Sequence, residues 1–309
     1  MNQDVLARLR QLLSELPQGI SLSQAQTQLQ QWYRDPQKRA QGFRDDADRY
    51  AYIAARLPTT YKVMQAVFQQ LPDTFRPQSL IDLGSGPGTA TLAGFARWPD
   101  LANAMLVDSD AQLLRWSQFL LEGRPASFQC MNLASYQPPS ADLLVLSYVL
   151  TELSALEQQS LLAKVWQACQ NMLVIVVPGT PRAFTMLLQC RDYLIQQGAW
   201  IVAPCPHHES CPLADAQDWC HFATSVVRTD FQKQAKKGKL GWEVEKYSYL
   251  IVSRHQTERS QGRIVRRPIK GSGHIIFDVC TNGQLLRQTF SKSQPDYPQY
   301  KRKDWGDMI

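Results

Sequence analysis

The sequence predicts an α/β protein built on a mostly parallel, Rossmann-like sheet. Three observations point to it. Between residues 79 and 178, short apolar runs alternate with stretches of helical periodicity. A glycine-rich turn joins the first of these runs to the helix after it. Beyond Gln197 the alternation stops, and a cysteine-rich loop leads into closely spaced strand-like runs. Strands alternating with helices at this period indicate a parallel sheet covered on both faces. The chain is thereby divided into an N-terminal helical region (1–70), a Rossmann-like core (71–200) and a cysteine-rich, basic, β-rich extension (201–309) that completes the sheet.

Val5, Leu6, Leu9, Leu12 and Leu13 recur at helical spacing, as do apolar residues from Tyr50 through Phe68, where Pro58 is expected to break or kink the helix. Ser79–Leu83 reads as the first strand, with a helix over Thr89–Trp98. Ala104–Asp108 is the second strand, with a helix over Ala111–Leu121. Ser127–Cys130 is a short third strand, and Asp142–Leu146 a fourth, followed by a helix over Ala155–Cys169. Met172–Val177 is the fifth, ended by the Pro178–Pro181 turn. Trp200–Val202 then leads into the cysteine loop, and a basic helix covers Phe231–Lys239. Tyr247–Val252, Gly262–Arg267, His274–Val279 and Leu285–Phe290 read as antiparallel strands, with turns at Gly271–Gly273 and Asn282-Gly283.

Hydrophobic residues make up 44% of the 309 and charged residues 19%, enough for a packed core and too apolar for wholesale disorder. No apolar run approaches the roughly 20 residues that span a bilayer, and the first residues lack a secretory pattern. The expectation is a soluble, cytoplasmic, monomeric protein with no membrane partner. The net charge of +6 is unevenly placed: from residue 221 onward 17 Lys and Arg face 8 Asp and Glu, against 16 and 19 before it. A basic C-terminal third on a slightly acidic body suits a polyanion. Lys236, Lys237, Lys239, Arg263, Arg266, Arg267 and Lys270 are the candidate contacts to such a polyanion, RNA being the one that the resemblance named below implies.

Asp82-Leu83-Gly84-Ser85-Gly86-Pro87-Gly88-Thr89 follows a strand and opens a helix, the context in which a glycine pattern means a ligand. Glycine permits the sharp turn and close approach, and the helix start offers free amides. A dinucleotide fingerprint would place its third glycine at position 89, where Thr89 stands. Asp108 closes the second strand, where a carboxylate can accept both hydroxyls of a ribose, and Asn132 follows the third strand, near where an adenine would lie. These residues, with Asp82 to hold a methionine amino group, predict S-adenosylmethionine binding through Asp82, Gly84, Ser85, Gly86, Gly88, Asp108 and Asn132. No catalytic residue emerges. After the fourth strand stands Ser147-Tyr148-Val149-Leu150-Thr151-Glu152, without the Asp/Asn-Pro-Pro-aromatic motif of amine methylation or a nucleophilic cysteine. Tyr148 and the Pro178–Pro181 turn are candidates for lining an acceptor pocket.

Of seven cysteines, Cys130, Cys169 and Cys190 sit in apolar patterns and read as packing residues. Cys205, Cys211 and Cys220, with gaps of five and eight residues, sit on a proline-rich loop, and Cys280 ends a predicted strand. Thiolates gathered this way suit a soft metal or a cluster. Zinc remains an equal alternative on spacing alone, and His207, His208 and His221 read as surrounding residues more than as ligands.

Arg56-Leu57-Pro58-Thr59-Thr60-Tyr61, the loop Asp82–Thr89, Val177–Pro181, the cysteine loop Ala203–Phe222, Gly241–Leu250 and Arg263–Pro268 leading to Cys280 together carry a resemblance. The chain resembles the methyltransferase-like assembly factors of the mitochondrial small ribosomal subunit and their bacterial relatives, and reads as a bacterial member. The resemblance implies a class I methyltransferase fold, binding to small-subunit ribosomal RNA during assembly, and a four-iron four-sulfur cluster at Cys205, Cys211, Cys220 and Cys280. Two functions stay open: an S-adenosylmethionine-dependent rRNA methyltransferase, and a non-catalytic assembly factor that uses the fold to bind rRNA.

Overall fold

The computed structural model describes residues 3–34, 42–214, 217–236, 240–258 and 260–309. The chain forms two compact units, residues 1–170 with 224–245 and residues 171–223 with 246–309.

The first unit opens with helices α1 (Gln3–Ser14), α2 (Leu22–Arg34) and α3 (Asp46–Phe68). Helix α3 runs through Pro58 without interruption, against expectation. Proline removes one helical hydrogen bond and crowds the preceding turn. Here burial of Ile53, Leu57, Tyr61, Met64 and Phe68 outweighs that cost. Its N-terminus is capped by Asp45, whose side chain accepts from the amide of Asp48.

Four strands follow, β1 (Ser79–Leu83), β2 (Asn103–Asp108), β3 (Ala126–Cys130) and β4 (Ala141–Ser147). They pair in parallel in the order β3-β2-β1-β4. Helices α4 (Thr89–Arg97), α5 (Ala111–Leu120) and α6 (Ala155–Ala168) alternate with them as predicted. Asp110 caps α5, and Ser154 with Glu157 forms a capping box on α6. Strand β3 lies at the sheet edge, so Cys130 is exposed rather than packed, while Cys169 and Cys190 are buried. The unit also holds most of β7 (Phe222–Val227), helix α8 (Asp230–Lys236) and the start of β8 (Trp242–Ser253). Gln232 of α8, fully buried, donates to the Ala55 carbonyl and to Thr59 Oγ1 of α3.

In the second unit, β8 runs antiparallel between β5 (Cys169–Pro178) and β6 (Trp200–Ala203). Helix α7 (Pro181–Gln196) starts where the Pro178–Pro181 turn was expected, with Thr180 as its cap. A parallel 3-2-1-4 run and a late antiparallel strand beside the fifth are the ordering of a class I methyltransferase, and that is the fold. A second, smaller sheet comprises β9 (Arg263–Ile264), β10 (Ile269–Lys270), β11 (His274–Thr281) and β12 (Gln284–Ser291), followed by α9 (Tyr297–Tyr300). The expected strand over 262–267 shrinks to two residues paired with Val279 and Cys280. Asn282 and Gly283 both take positive φ, 43° and 74°, giving the tight hairpin turn predicted for Asn-Gly.

Phe277 anchors this sheet, fully buried against Ile264, Ile275, Val279 and Tyr297. Phe277→Ala is expected to cost about 3–5 kcal/mol in urea denaturation. A loss below about 1 kcal/mol would mean that another residue cores the sheet.

Candidate functional site

The first unit carries a cleft at the carboxyl ends of its parallel strands, holding about 1830 Å³ of open space. Gly84 and Gly86 from the glycine turn line it, with Asp108 at the end of β2, Asn132 and Leu133 beyond β3, and Tyr148 after β4. Gly84, Gly86 and Gly88 have φ of 70°, 50° and 75°, a region L side chains avoid. A Cβ on Gly84 would lie 2.3 Å from Val149 Cγ2, so the residue has no room for a side chain.

Asp108 braces the turn as well as facing the cleft. Its Oδ2 accepts the Gly86 amide at 2.7 Å and its Oδ1 the Asp110 amide at 2.8 Å. Burial pushes its pKa up, against these backbone donors. Each oxygen retains a second lone pair, so the carboxylate can still accept hydroxyls from a ligand. Asn132 is exposed, and its Oδ1 accepts the Ala134 amide. The remaining predicted residues stand differently: Asp82, Ser85 and Gly88 are not among the residues lining the cleft. Asp82 is 1% exposed, and its Oδ2 accepts both the amide and the hydroxyl of Thr91 in α4. Its Oδ1 is buried and has no partner among the described residues. Burial raises its pKa to about 7, with the Thr91 bonds acting in the opposite direction. In this structure Asp82 ties α4 to the strand end.

Sequence reasoning missed the N-terminal contribution to the cleft. Arg49 of α3 pairs with Asp110 at 2.8 Å, and both line it with Tyr52 and Glu152. Arg56 lies over the Tyr148 ring, 5.7 Å from its centroid, and pairs with Glu245 at 2.9 Å. Tyr148 itself has φ 65°, a costly value for an aromatic residue. Only Arg56, within a quoted segment, carried any signal of this.

In the second unit Cys205, Cys211, Cys220 and Cys280 line one small apolar cavity, walled by Phe184, Leu187, Phe222 and Tyr249. The four thiols therefore come from one loop, between β6 and β7, and from β11. Among the described residues no three Cys, His, Asp or Glu side chains form a group that could hold a metal ion. Burial, and then each thiolate's effect on the others, pushes the Cys220 thiol well up. The same two causes raise Cys280 to about 12. His207 is buried with Nε2 3.3 Å from Cys280 Sγ, and His208 Nε2 accepts the Ile201 amide. His221 stacks on Trp219.

Arg191 of α7 also lines this cavity and was not foreseen. It is 2% exposed and donates through Nη2 to the carbonyls of His207 (3.2 Å) and Glu209 (2.6 Å). The available signal was its register: Phe184, Leu187, Arg191 and Leu194 share one helical stripe, the buried one.

The basic candidates are scattered. Arg263 is corrected: it is 3% exposed, with Nε donating to the Pro204 carbonyl and Nη1 to that of Gly306, and so is spent inside the unit. Arg266 pairs with Asp218 at 2.5 Å. Lys236, in the first unit, pairs with Glu243 at 2.6 Å. Arg267 and Lys270 are exposed, and Lys237 and Lys239 lie outside the described residues.

Comparison with known proteins places these features in context. A family profile described as "Mitochondrial small ribosomal subunit Rsm22" matches residues 46–309. The human protein named "Ribosome assembly protein METTL17, mitochondrial" is 25% identical over 286 residues, 84% of this chain and 61% of its own. "Ribosome assembly protein RSM22, mitochondrial" of Saccharomyces cerevisiae is 21% identical over 77% of this chain and 62% of its own. The chain thus spans about three fifths of the length of these relatives. Among solved structures, an O-methyltransferase family protein from Burkholderia thailandensis gives a TM-score of 0.47 at 16% identity, over 82% of this chain and 72% of that one. The plantazolicin methyltransferase BpumL, solved with SAH and a substrate analogue, gives 0.44 at 14%, over 75% and 97%.

Asp82 in the fold keeps its proton up to about pH 7, whereas an unfolded aspartate loses it near pH 4. Its contribution to stability is therefore complete below about pH 4 and lost as pH rises through 7. Asp82→Asn stays neutral and can still accept the Thr91 bonds. It is expected to flatten the fall in Tm between pH 4 and 7; an unaltered profile would discard the assignment.

Proposed function

The chain belongs to the mitochondrial small ribosomal subunit Rsm22 family, and from that premise we propose that it is a small-subunit assembly protein that binds S-adenosylmethionine, a four-iron four-sulfur cluster and ribosomal RNA. The observation carrying this reading is the family match over residues 46–309, a stretch that includes both the glycine turn and all four converging cysteines. The family description supports the small ribosomal subunit as partner, and the names of the human and yeast relatives support a role in ribosome assembly; binding to its rRNA is part of the proposal.

The cleft supports the cofactor. Gly84 and Gly86 let backbone approach a ligand closely, Asp108 offers a carboxylate where a ribose would lie, and Asn132 and Leu133 line the side suited to an adenine. Bound there, S-adenosylmethionine would supply an already activated methyl group, so the protein's task is alignment. Neither an amine-methylation motif nor a cysteine follows β4, which favours a binding role over catalysis. One observation favours retained chemistry. Tyr148 is held at φ 65° where an acceptor would enter, and strain of about 1–3 kcal/mol is kept at functional positions more often than elsewhere.

For the thiol cavity the preference for a cluster over zinc comes from the family resemblance; Cys205, Cys211, Cys220 and Cys280, which all line one apolar cavity, are the residues that would hold it. A cluster there would stabilise the fold by joining the cysteine loop to β11. RNA docking draws on Arg267 and Lys270, exposed members of the basic set, within a C-terminal third that is net basic.

Asp108→Ala is expected to weaken SAH binding in calorimetry by about 10- to 100-fold, the worth of a charge-assisted hydrogen bond or two; equal affinity would refute the cleft assignment. Cross-linking in cells is expected to recover small-subunit rRNA. In vitro, R267A and K270A should each reduce the salt dependence of RNA affinity by about one released counterion. Recovery of no rRNA would end the ribosomal reading.

A further inference from the structure

We propose that Arg191 is the positioning residue of the thiol centre, holding the cysteine loop in place and raising the reduction potential of the cluster through its buried charge. This deepens the cluster reading above and rests on it. The family likeness concerns four sulfurs; the cation is a feature of this chain's own interior.

Two jobs fall on the one guanidinium. Through Nη2 it takes the carbonyls of His207 and Glu209, both between Cys205 and Cys211, so it fixes the segment that presents two of the sulfurs. Its Nε–H is buried and has no acceptor among the described residues. An unmade bond at a buried donor is costly, and such a cost is expected to be kept only where something else fills it. The cavity it lines contains the four thiols, and sulfur is an acceptor of N–H.

Charge leads to the same place. Among the described residues the carboxylate paired with Arg191 is Asp192, whose side chain is 62% exposed and screened by water. A guanidinium at 2% exposure with so weak a counterion is costly in a neutral cavity. Four thiolates around a 2+ cluster carry a net charge of 2−, and one-electron reduction adds another negative charge. A fixed cation favours the reduced form more, so the potential rises. Arg263 is also buried, but two of its donors are committed to the Pro204 and Gly306 carbonyls, so it adds field and no free bond is claimed for it.

The test uses the full chain purified anaerobically, with iron and sulfide assays, redox titration followed by EPR, and three proteins: wild type, R191M and R191K. R191M is expected to retain less iron, or to hold it with the reduced-to-oxidised ratio at the wild-type midpoint lowered about tenfold, equivalent to about 59 mV for one electron. R191K, which keeps the charge, is expected to lie near wild type. Because R191M can fail to fold, the wild-type protein labelled with 15N-arginine is measured by pulsed EPR in parallel. A weak 15N coupling to the reduced cluster is expected, and it should vanish in R191K. Wild-type protein that holds no iron would sink the cluster itself. A cluster present in wild type, with no 15N coupling and an R191M midpoint unchanged, would overturn the role of Arg191 alone.

Discussion

Taking a guanidinium out of water costs several kilocalories per mole unless carbonyls and an anion take over from the solvent. Arg191 is in that position at the centre of the second unit. It sits on the buried stripe of α7, and the carbonyls that solvate it belong to the loop carrying Cys205 and Cys211. Around it Leu187, Phe184 and Tyr249 keep the cavity dry. A dry wall also holds the thiols in their neutral form, as the upward shifts of Cys220 and Cys280 record. The unit thus stores a positive charge beside sulfurs that would bear negative charge once they give up their protons to a metal centre.

The first unit solves a different problem, that of keeping a turn of three left-handed glycines in one shape. Asp108 does so from the next strand by accepting the Gly86 amide, and Val149 fills the space beside Gly84. Asp82 works from behind, joining α4 to the end of β1 through both donors of Thr91. Of the two carboxylates that flank the turn, Asp108 therefore faces the cleft and Asp82 faces the protein. Sequence position alone made them look alike.

What could be read from the chain was whatever depends on local pattern. The five strands from Ser79 to Pro178 and the Asn282-Gly283 hairpin follow from apolar periodicity and positive-φ residues, both short-range, whereas helix α7, beginning where only a turn was expected, was not anticipated. The misreadings involve partners distant in sequence. Pro58 sits inside α3 because tertiary burial outweighs its local cost. Cys130 is exposed because β3 is an edge, which no run of five residues reveals. Arg263 looked like one more surface cation among Arg266 and Arg267, yet two backbone carbonyls, 59 and 43 residues away, draw it inside. Arg191 was overlooked because the eye discounts a charge on an apolar stripe, although such a residue is the one most in need of a reason.

The Asn282-Gly283 turn closes against the cysteine loop: a Cβ on Gly283 would stand 3.0 Å from Glu209 Cβ. Cys280 lies just before that turn, and its register opposite Leu285 exists only once β12 has folded back. During synthesis the first three sulfurs leave the ribosome well ahead of the fourth. Any group that needed all four sulfurs would therefore have to wait for the closing of that hairpin.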